Sequence, residues 1–581
     1  MTTHYTDEKG AQIIISLLKQ YGVRKIVASP GTTNLVLVAS MQSDPYFEMY
    51  SSVDERSAAY IACGLAAESG EPVALSCTGA TASRNYMSGL TEAYYRKLPI
   101  IALTATQSVA RIGQHVPQVI DRSVLANDIT RYSATLPYVK DEEDIWDCEV
   151  KVNKALLECR RNGGGPVHLN LQTKYSPDYS VKELPKYRKI DRVTLADKFP
   201  ELPKGKVAIF IGSHAKMSDE QISAIDNFCA SHDAVAFCDH TSSYNGRYAV
   251  NFSVVSGQVN LDVRKTYSPD LLIHIGEVSG DYYSMGIVGQ AKVWRVNPDG
   301  EVRDTFRKLT SVFEMPIEFF FNHYSQPNES NNSYLLLCQD AISQIRASIP
   351  ELPFSNVWIA QRIAHLIPDG SVVHLGILNS LRSWNFFDLP KSVYSMSNVG
   401  GFGIDGCTSS LIGASLHNRE KLYYLITGDL AFFYDMNVVG NRHVGNNIRI
   451  LLVNNGKGTE FRNFGHPAAR FGEDADAYMA ASGHYGNKSP ELVKCYAEGL
   501  GYEYLTASSK EEFDKVYSRF LTPTVTDKPM IFEIFTNNEE ESDALKTIRS
   551  IEADTTSIVK KAVKGIIGRE GISAIKKIVK K

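Results

Sequence analysis

Leu422-Tyr-Tyr-Leu-Ile-Thr-Gly-Asp-Leu-Ala431, taken with Ile448-Arg-Ile-Leu-Leu-Val-Asn-Asn455, decides the fold of this chain. Each stretch opens as an apolar run of strand length and ends on a polar pair, Gly428-Asp429 in the first and Asn454-Asn455 in the second. Ala431 to Val439, between them, reads as a helix. Strand, helix, strand in that order makes two parallel strands whose carboxyl ends meet at one edge, where open α/β sheets bind ligands. Glycine lets a backbone approach a phosphate, and the helix start that follows attracts the anion. Asp429 and Asn455 offer the hard oxygens that magnesium takes. A Gly-Asp pair before a helix is also an ordinary N-cap, and the two readings are compatible.

Outward from this unit, strands alternate with helices in three blocks. The first has strands at Lys25–Ser29, Val73–Cys77, Pro99–Ala105 and Val167–Leu171. The second has them at Lys206–Gly212, Ala234–Cys238, Leu271–Gly276 and Lys292–Val296. The third has them at Ser371–Leu375, Leu422–Thr427, Ile448–Val453 and Met530–Phe535. Tyr175 to Gly205, rich in Pro, Lys and Asp, reads as a linker, and the polar run Ser325–Ser333 marks the next boundary. The expected class is therefore α/β, each block holding a central, mostly parallel sheet flanked by helices.

Composition bounds the function. The chain has 581 residues, 43% hydrophobic and 22% charged, enough for several cores. A net charge of −4 speaks against bulk nucleic-acid binding. No apolar run reaches membrane-span length, and Met1-Thr2-Thr3-His4 lacks the charged start and apolar core of a signal peptide. Nine cysteines without a Cys-x-x-Cys pattern argue for reduced thiols, so a cytoplasmic protein is expected. From Ser557 to Lys581, eight Lys or Arg face one Glu along a mostly four-residue apolar repeat. That pattern fits a basic amphipathic tail lying on an anionic membrane surface, or one packed on the protein body.

Further segments recur in a recognisable order: Ser29-Pro30-Gly31, Val53-Asp54-Glu55-Arg56-Ser57, Cys77-Thr78-Gly79-Ala80-Thr81, Pro99–Ala105, Ser397-Asn398 and Gly403-Ile404-Asp405-Gly406. With Gly428-Asp429 and Asn454-Asn455 they resemble the thiamine-diphosphate-dependent 2-oxo-acid decarboxylases and carboligases, over roughly residues 10–540. Within that superfamily the pattern is most similar to the menaquinone-pathway carboligase, which joins a 2-oxoglutarate-derived unit to isochorismate. The resemblance implies a pyrimidine-binding domain at 1–185, a middle domain at 200–330 and a diphosphate-binding domain at 350–540; the charge and apolar pattern sets 541–581 apart as the tail. It implies thiamine diphosphate and Mg2+ as cofactors, and a homodimer or homotetramer with the cofactor between subunits.

The same resemblance assigns roles residue by residue. Glu55 is the carboxyl that activates the cofactor's aminopyrimidine, which is acid–base work on a group that carries the hard chemistry. Pro30, Gly31, Thr78, Gly79, Ile404, Gly428, Asp429, Leu430, Ala431 and Asn455 surround the cofactor, with Ile404 beneath it and the N–H groups of Leu430 and Ala431 on the diphosphate. Asp429, Asn455 and the Lys457 backbone carbonyl hold the metal. Gln118 reaches substrate, and His115 is the histidine of that loop suited to proton transfer near neutral pH. Each of the last two also reads as an ordinary polar loop residue.

Departures from the pattern matter as much. Where the menaquinone carboligase has arginines for its acidic substrates, this chain has Thr33, Thr106 or Gln107, Trp384 and Val399. Arg84 and Arg382 lie nearby in a different register, and Glu460 replaces an apolar residue. Ile211-Gly212-Ser213-His214 lacks the spaced glycines of a dinucleotide fingerprint, so no flavin is expected. The leading expectation is a carboligase that decarboxylates a 2-oxo acid and transfers the remaining unit to a carbonyl or alkene acceptor. A plain 2-oxo-acid decarboxylase and an inactive membrane-associated scaffold stand as alternatives.

Overall fold

The computed structural model describes residues 3–260, 263–327, 330–483 and 489–551. The chain forms two compact units: one contains the chain through Lys198 together with Asp299–Glu314, the other Phe199–Pro298 and the chain from Met315 onward.

The first unit is built on a six-stranded parallel sheet. Its strands are β1 (Lys25–Ala28), β2 (Glu48–Ser51), β3 (Val73–Thr78), β4 (Ile100–Thr106), β5 (Tyr132–Leu136) and β6 (Val167–Gln172), in the order β2-β1-β3-β4-β6-β5. The inner strands are continuous apolar runs because helices cover both faces. Lys9–Gln20 and Glu142–Glu158 bury Ile13, Leu17, Val152 and Leu156 in one core. Glu55–Ser69 and Met87–Arg96 bury Ala58, Ala62, Leu90 and Ala93 in the other. These last two helices pack so closely that a Cβ on Gly89 would lie 2.5 Å from the Ala59 methyl. The stretch expected as a linker is partly ordered into this unit. It contributes β7 (Asp191–Thr194), which pairs in parallel with β13 (Leu309–Glu314), and Val181 bridges to Tyr5.

The second unit contains β8 (Val207–Ile211), β9 (Val235–Phe237), β10 (Ala249–Val250), β11 (Leu271–Ile275) and β12 (Lys292–Val296), in the order β10-β9-β8-β11-β12. It also holds a six-stranded parallel sheet of β14 (Val372–Leu375), β15 (Tyr394–Met396), β16 (Tyr423–Gly428), β17 (Ile448–Asn454), β18 (Glu503–Ala507) and β19 (Met530–Phe535). Its order, β15-β14-β16-β17-β19-β18, repeats the strand order of the first sheet. Every sheet is parallel, as expected.

The helix Asn538–Arg549 carries the packed body past residue 541: Ala544, Leu545 and Ile548 are buried, and the Arg549 Nε–H donates to the Gly257 carbonyl at 2.9 Å. The basic segment Ser557–Lys581 lies outside the described residues. Among the described residues, no helix is long and apolar enough to cross a membrane. All nine cysteines are free, and only Cys495 is exposed.

Candidate cofactor and metal site

The quoted stretch folds as its pattern dictates. Gly428 at the end of β16 pairs with Val453 of β17, so Asp429 and Asn455 leave the sheet at one edge. Asp429 opens the helix Asp429–Tyr434, shorter than the expected Ala431–Val439 because Met436–Gly440 winds as a separate 3-10 turn. The Asp429 carboxylate is buried and accepts backbone N–H bonds from Leu430 and Gly456, both at 2.7 Å. Burial pushes its carboxyl up to about 6 despite those donors. The Leu430 N–H bonds the side chain of Asp429, so an anion at this helix start would share it with that carboxylate.

Asn455 supplies the most telling observation. Its Oδ1 is buried with no hydrogen-bond partner, although buried polar atoms are normally satisfied. It lines, with Gly428, Asp429, Leu430, Ala431, Ile404 and Lys457, a cavity of about 110 Å³. An unpartnered amide oxygen beside a buried carboxylate is a hard-oxygen donor set suited to magnesium, so the residues fit the metal. The Lys457 side chain is drawn aside to Asp476 at 2.7 Å, leaving only its backbone carbonyl to serve. Ile404 is half-buried in the same wall and presents an apolar surface, which fits a place beneath the cofactor. A Cβ on Gly428 would meet nothing within 4 Å, so that face is open. Gly428→Ala should therefore melt like the wild type while magnesium-dependent cofactor affinity falls at least about tenfold, since the methyl obstructs only the ligand. Scanning calorimetry and titration calorimetry measure the two effects separately.

The back wall was not legible from motifs. Glu541, fully buried, accepts the Asn356 backbone N–H at 3.0 Å and the Thr536 hydroxyl at 2.7 Å. Burial pushes its carboxyl up to about 7. The only sequence signal was its place in the acidic first turn of the helix that Asn537 caps.

Arg382 and Glu460 form a fork across the other wall, Nη1 to Oε2 at 2.8 Å and Nη2 to Oε1 at 3.0 Å. Burial alone would raise the Glu460 carboxyl, but hydrogen bonds and charge from Arg382 outweigh it and hold it below the usual range. A carboxyl depressed in this way stabilises the fold fully above its unfolded value of about 4.3, and that contribution is lost as pH falls through the lower folded value. Arg382→Met leaves the partly buried Glu460 without its charged partner and should cost about 1–3 kcal/mol, between the values for exposed and buried pairs. Urea unfolding at pH 7 and pH 3.5 checks both halves: the cost should shrink at the acid pH.

In the first unit, Pro30 and Gly31 follow β1, Glu55 follows β2, Thr78 and Gly79 lie at the end of β3, and the loop of His115 and Gln118 follows β4. A Cβ on Gly31 would lie 2.9 Å from the Thr78 Cβ, and one on Gly79 would lie 2.5 Å from the Ala105 carbonyl, so both loops need glycine for their close approach. Thr33 joins them: its hydroxyl donates to Ala105 O at 2.6 Å and accepts the Gly79 N–H at 3.2 Å. Pro30 is exposed at the tip. Glu55 starts its helix behind the Asp54 cap, half-buried, and accepts from Asn85 Nδ2 at 3.3 Å. His115 and Gln118 are exposed, and both have left-handed backbones, φ 54° and 65°. Such conformations cost energy and concentrate in functional loops.

Of the positions where arginines were missing, Trp384 is fully buried and donates to Asn356 Oδ1 at 3.1 Å, and Val399 is buried as well. Both side chains are packed into the core.

The comparisons agree with this geometry. The model of the thiamine pyrophosphate enzyme N-terminal TPP binding domain matches residues 8–125. A 2-succinyl-5-enolpyruvyl-6-hydroxy-3-cyclohexene-1-carboxylate synthase of Phocaeicola vulgatus is 30% identical over 568 residues, covering 93% of this chain and 98% of the relative. The enzyme of that name from Bacteroides fragilis is 29% identical over 572 residues, with the same coverage. Its namesake from Flavobacterium psychrophilum is 28% identical over 559 residues, 90% of this chain and 96% of the relative. With relatedness running through the chain and the two glycine-bearing strand edges in place, this protein belongs to the thiamine pyrophosphate enzymes, as a relative of those synthases.

Proposed function

We propose that the protein is a magnesium-dependent carboligase that decarboxylates a 2-oxo acid and passes the remaining unit to a carbonyl or alkene acceptor. The observation that carries this reading is the orphaned Asn455 Oδ1 beside the buried Asp429 carboxylate at the end of two parallel strands. Asp429, Asn455 and the Lys457 carbonyl would hold the cation, and the backbone at Gly428 and Ala431 would face the diphosphate. Thiamine diphosphate, when bound, supplies the nucleophilic carbon and the electron sink. Glu55 would bond the aminopyrimidine through its carboxyl, Ile404 would support the cofactor from below, and Gln118 with His115 would orient substrate on the exposed loop. The Glu55 segment presents Val53, Tyr60 and Ile61 to solvent at 80%, 48% and 43% exposure, apolar surface suited to cover by a second copy of the chain.

Carbon dioxide release from a panel of 2-oxo acids, with and without an aldehyde acceptor, tests the proposal. Condensed product with an acceptor supports a carboligase. Free aldehyde with or without one identifies a plain decarboxylase, and no release from any acid favours the scaffold reading.

A negative expectation goes with it: 2-oxoglutarate and isochorismate should not be condensed at a rate comparable with small 2-oxo acids. Trp384 and Val399 are in the core, Thr33 is spent on the loops, and Arg382 is already paired to Glu460. Each substrate carboxylate left without its guanidinium forfeits about 1.5–3 kcal/mol. Product analysis by mass spectrometry decides this, and efficient turnover of that pair would refute the pocket argument.

A further inference from the structure

Arg122 follows the loop of Gln118 and turns inward, with 7% of its surface exposed. A buried guanidinium costs several kcal/mol unless it is paired and its donors are satisfied. Here Nη2 bonds Asn170 Oδ1, while Nε and Nη1 have no partner. Burial lowers Arg122 to about 10, which leaves it protonated at neutral pH. The nearby His168 adds no charge: burial first, and Arg122 second, hold it down to about 3, and its ring is engaged by Thr104 and Ser133.

The guanidinium lines a cavity of about 390 Å³ at the carboxyl ends of β4, β5 and β6, beside Thr106, Thr135, Asn170 and Gln172. That volume is in the range of small-ligand sites, and the carboxyl ends of parallel strands are where such sites form. Two carboxylates reach the cavity, and neither pairs with Arg122. Asp147 is held by Lys151 at 2.6 Å, and Asp121, facing water, accepts the Ser123 N–H at 2.9 Å. Of the two cations lining the cavity, Lys151 is paired with Asp147 and Arg122 has no ionic partner, while the unpaired Asp121 carboxylate stands at the water-exposed side. The same guanidinium lies against the predicted pyrimidine loop, where a Cβ on Gly79 would sit 3.0 Å from Nη2.

We propose that this cavity is a subsite for the carboxylate of a small organic acid, read by Arg122. A planar carboxylate suits a guanidinium, and its charge would offset the one that Arg122 carries without an ionic partner. That the acid is a 2-oxo acid or its acceptor rests on the carboligase reading; that a carboxylate binds here does not.

The test is titration calorimetry of the full-length protein without cofactor, using pyruvate, acetate, uncharged methyl pyruvate and inorganic phosphate. Pyruvate and acetate should compete for one site, methyl pyruvate should not bind, and phosphate should not displace either acid. Arg122→Met should weaken pyruvate binding at least tenfold, and Arg122→Lys should keep part of it. Without acid, Arg122→Met should melt no lower than the wild type, because it removes an unpaired buried charge, and added pyruvate should raise the melting temperature of the wild type only. Undiminished pyruvate binding in Arg122→Met would overturn the proposal. So would tighter binding of phosphate than of either acid, or a lowered melting temperature in Arg122→Met, which would make Arg122 a structural residue. Glu55→Gln should bind pyruvate normally, so failure of the cofactor chemistry would leave the subsite readable on its own.

Discussion

Replacement of Asp429 by alanine should abolish magnesium-dependent binding of thiamine diphosphate, weakening it more than about 100-fold. Loss of an outer-shell partner alone costs roughly 10–100-fold in metal affinity, and Asp429 is placed to touch the metal itself. Most of the diphosphate's charge would be met by the cation that Asp429 holds, with the backbone at Gly428 and Ala431 beside it. The alanine variant also leaves the Leu430 and Gly456 amides unpaired, so a modest stability loss of about 1–3 kcal/mol accompanies it. Asp429→Asn separates the two effects, since its amide oxygen still accepts from one of those amides. Calorimetric titration with and without EDTA should show wild-type binding that EDTA removes and none in either variant. Unchanged affinity in Asp429→Asn would place the diphosphate elsewhere.

The second large effect is on chemistry rather than binding. Glu55→Gln should bind cofactor and magnesium nearly as the wild type does, yet turn over about 10²–10⁴-fold more slowly, the range for a positioned acid–base group. The glutamine can still accept from Asn85 and keeps the helix start behind the Asp54 cap, so folding is preserved. Turnover of the best 2-oxo acid, measured beside cofactor affinity, separates a proton-transfer role from a binding role.

Much of the fold was written in the sequence. Largely apolar runs such as Ile100–Thr106 and Ile448–Val453, of strand length and rich in branched residues, read as strands buried on both faces, and they are. Edge strands were harder: β2 and β18 are short and half-exposed, so their patterns resemble loops. β7 hid inside a Pro- and Lys-rich stretch because its partner, β13, lies more than a hundred residues away in sequence. The site divided in the same way. Gly428, Asp429 and Asn455 announce themselves through spacing and strand ends. The Arg382–Glu460 fork, the Glu541 wall and the unpaired Arg122 join residues distant along the chain, and no local pattern encodes such pairs. Trp384 and Val399 were read as altered pocket positions, and the fold shows them buried in the core, a distinction that only burial can make.

The rate at which the thiazolium C2 proton of bound thiamine diphosphate exchanges with solvent, followed by NMR, tests the central claim most directly. It reports at once whether this chain binds the cofactor and whether its own residues activate it. With magnesium, the wild type should accelerate exchange by orders of magnitude over the free cofactor, and Glu55→Gln should lose most of that acceleration while remaining loaded. A loaded wild-type protein exchanging no faster than free thiamine diphosphate, or a Glu55→Gln variant exchanging as fast as the wild type, would contradict it.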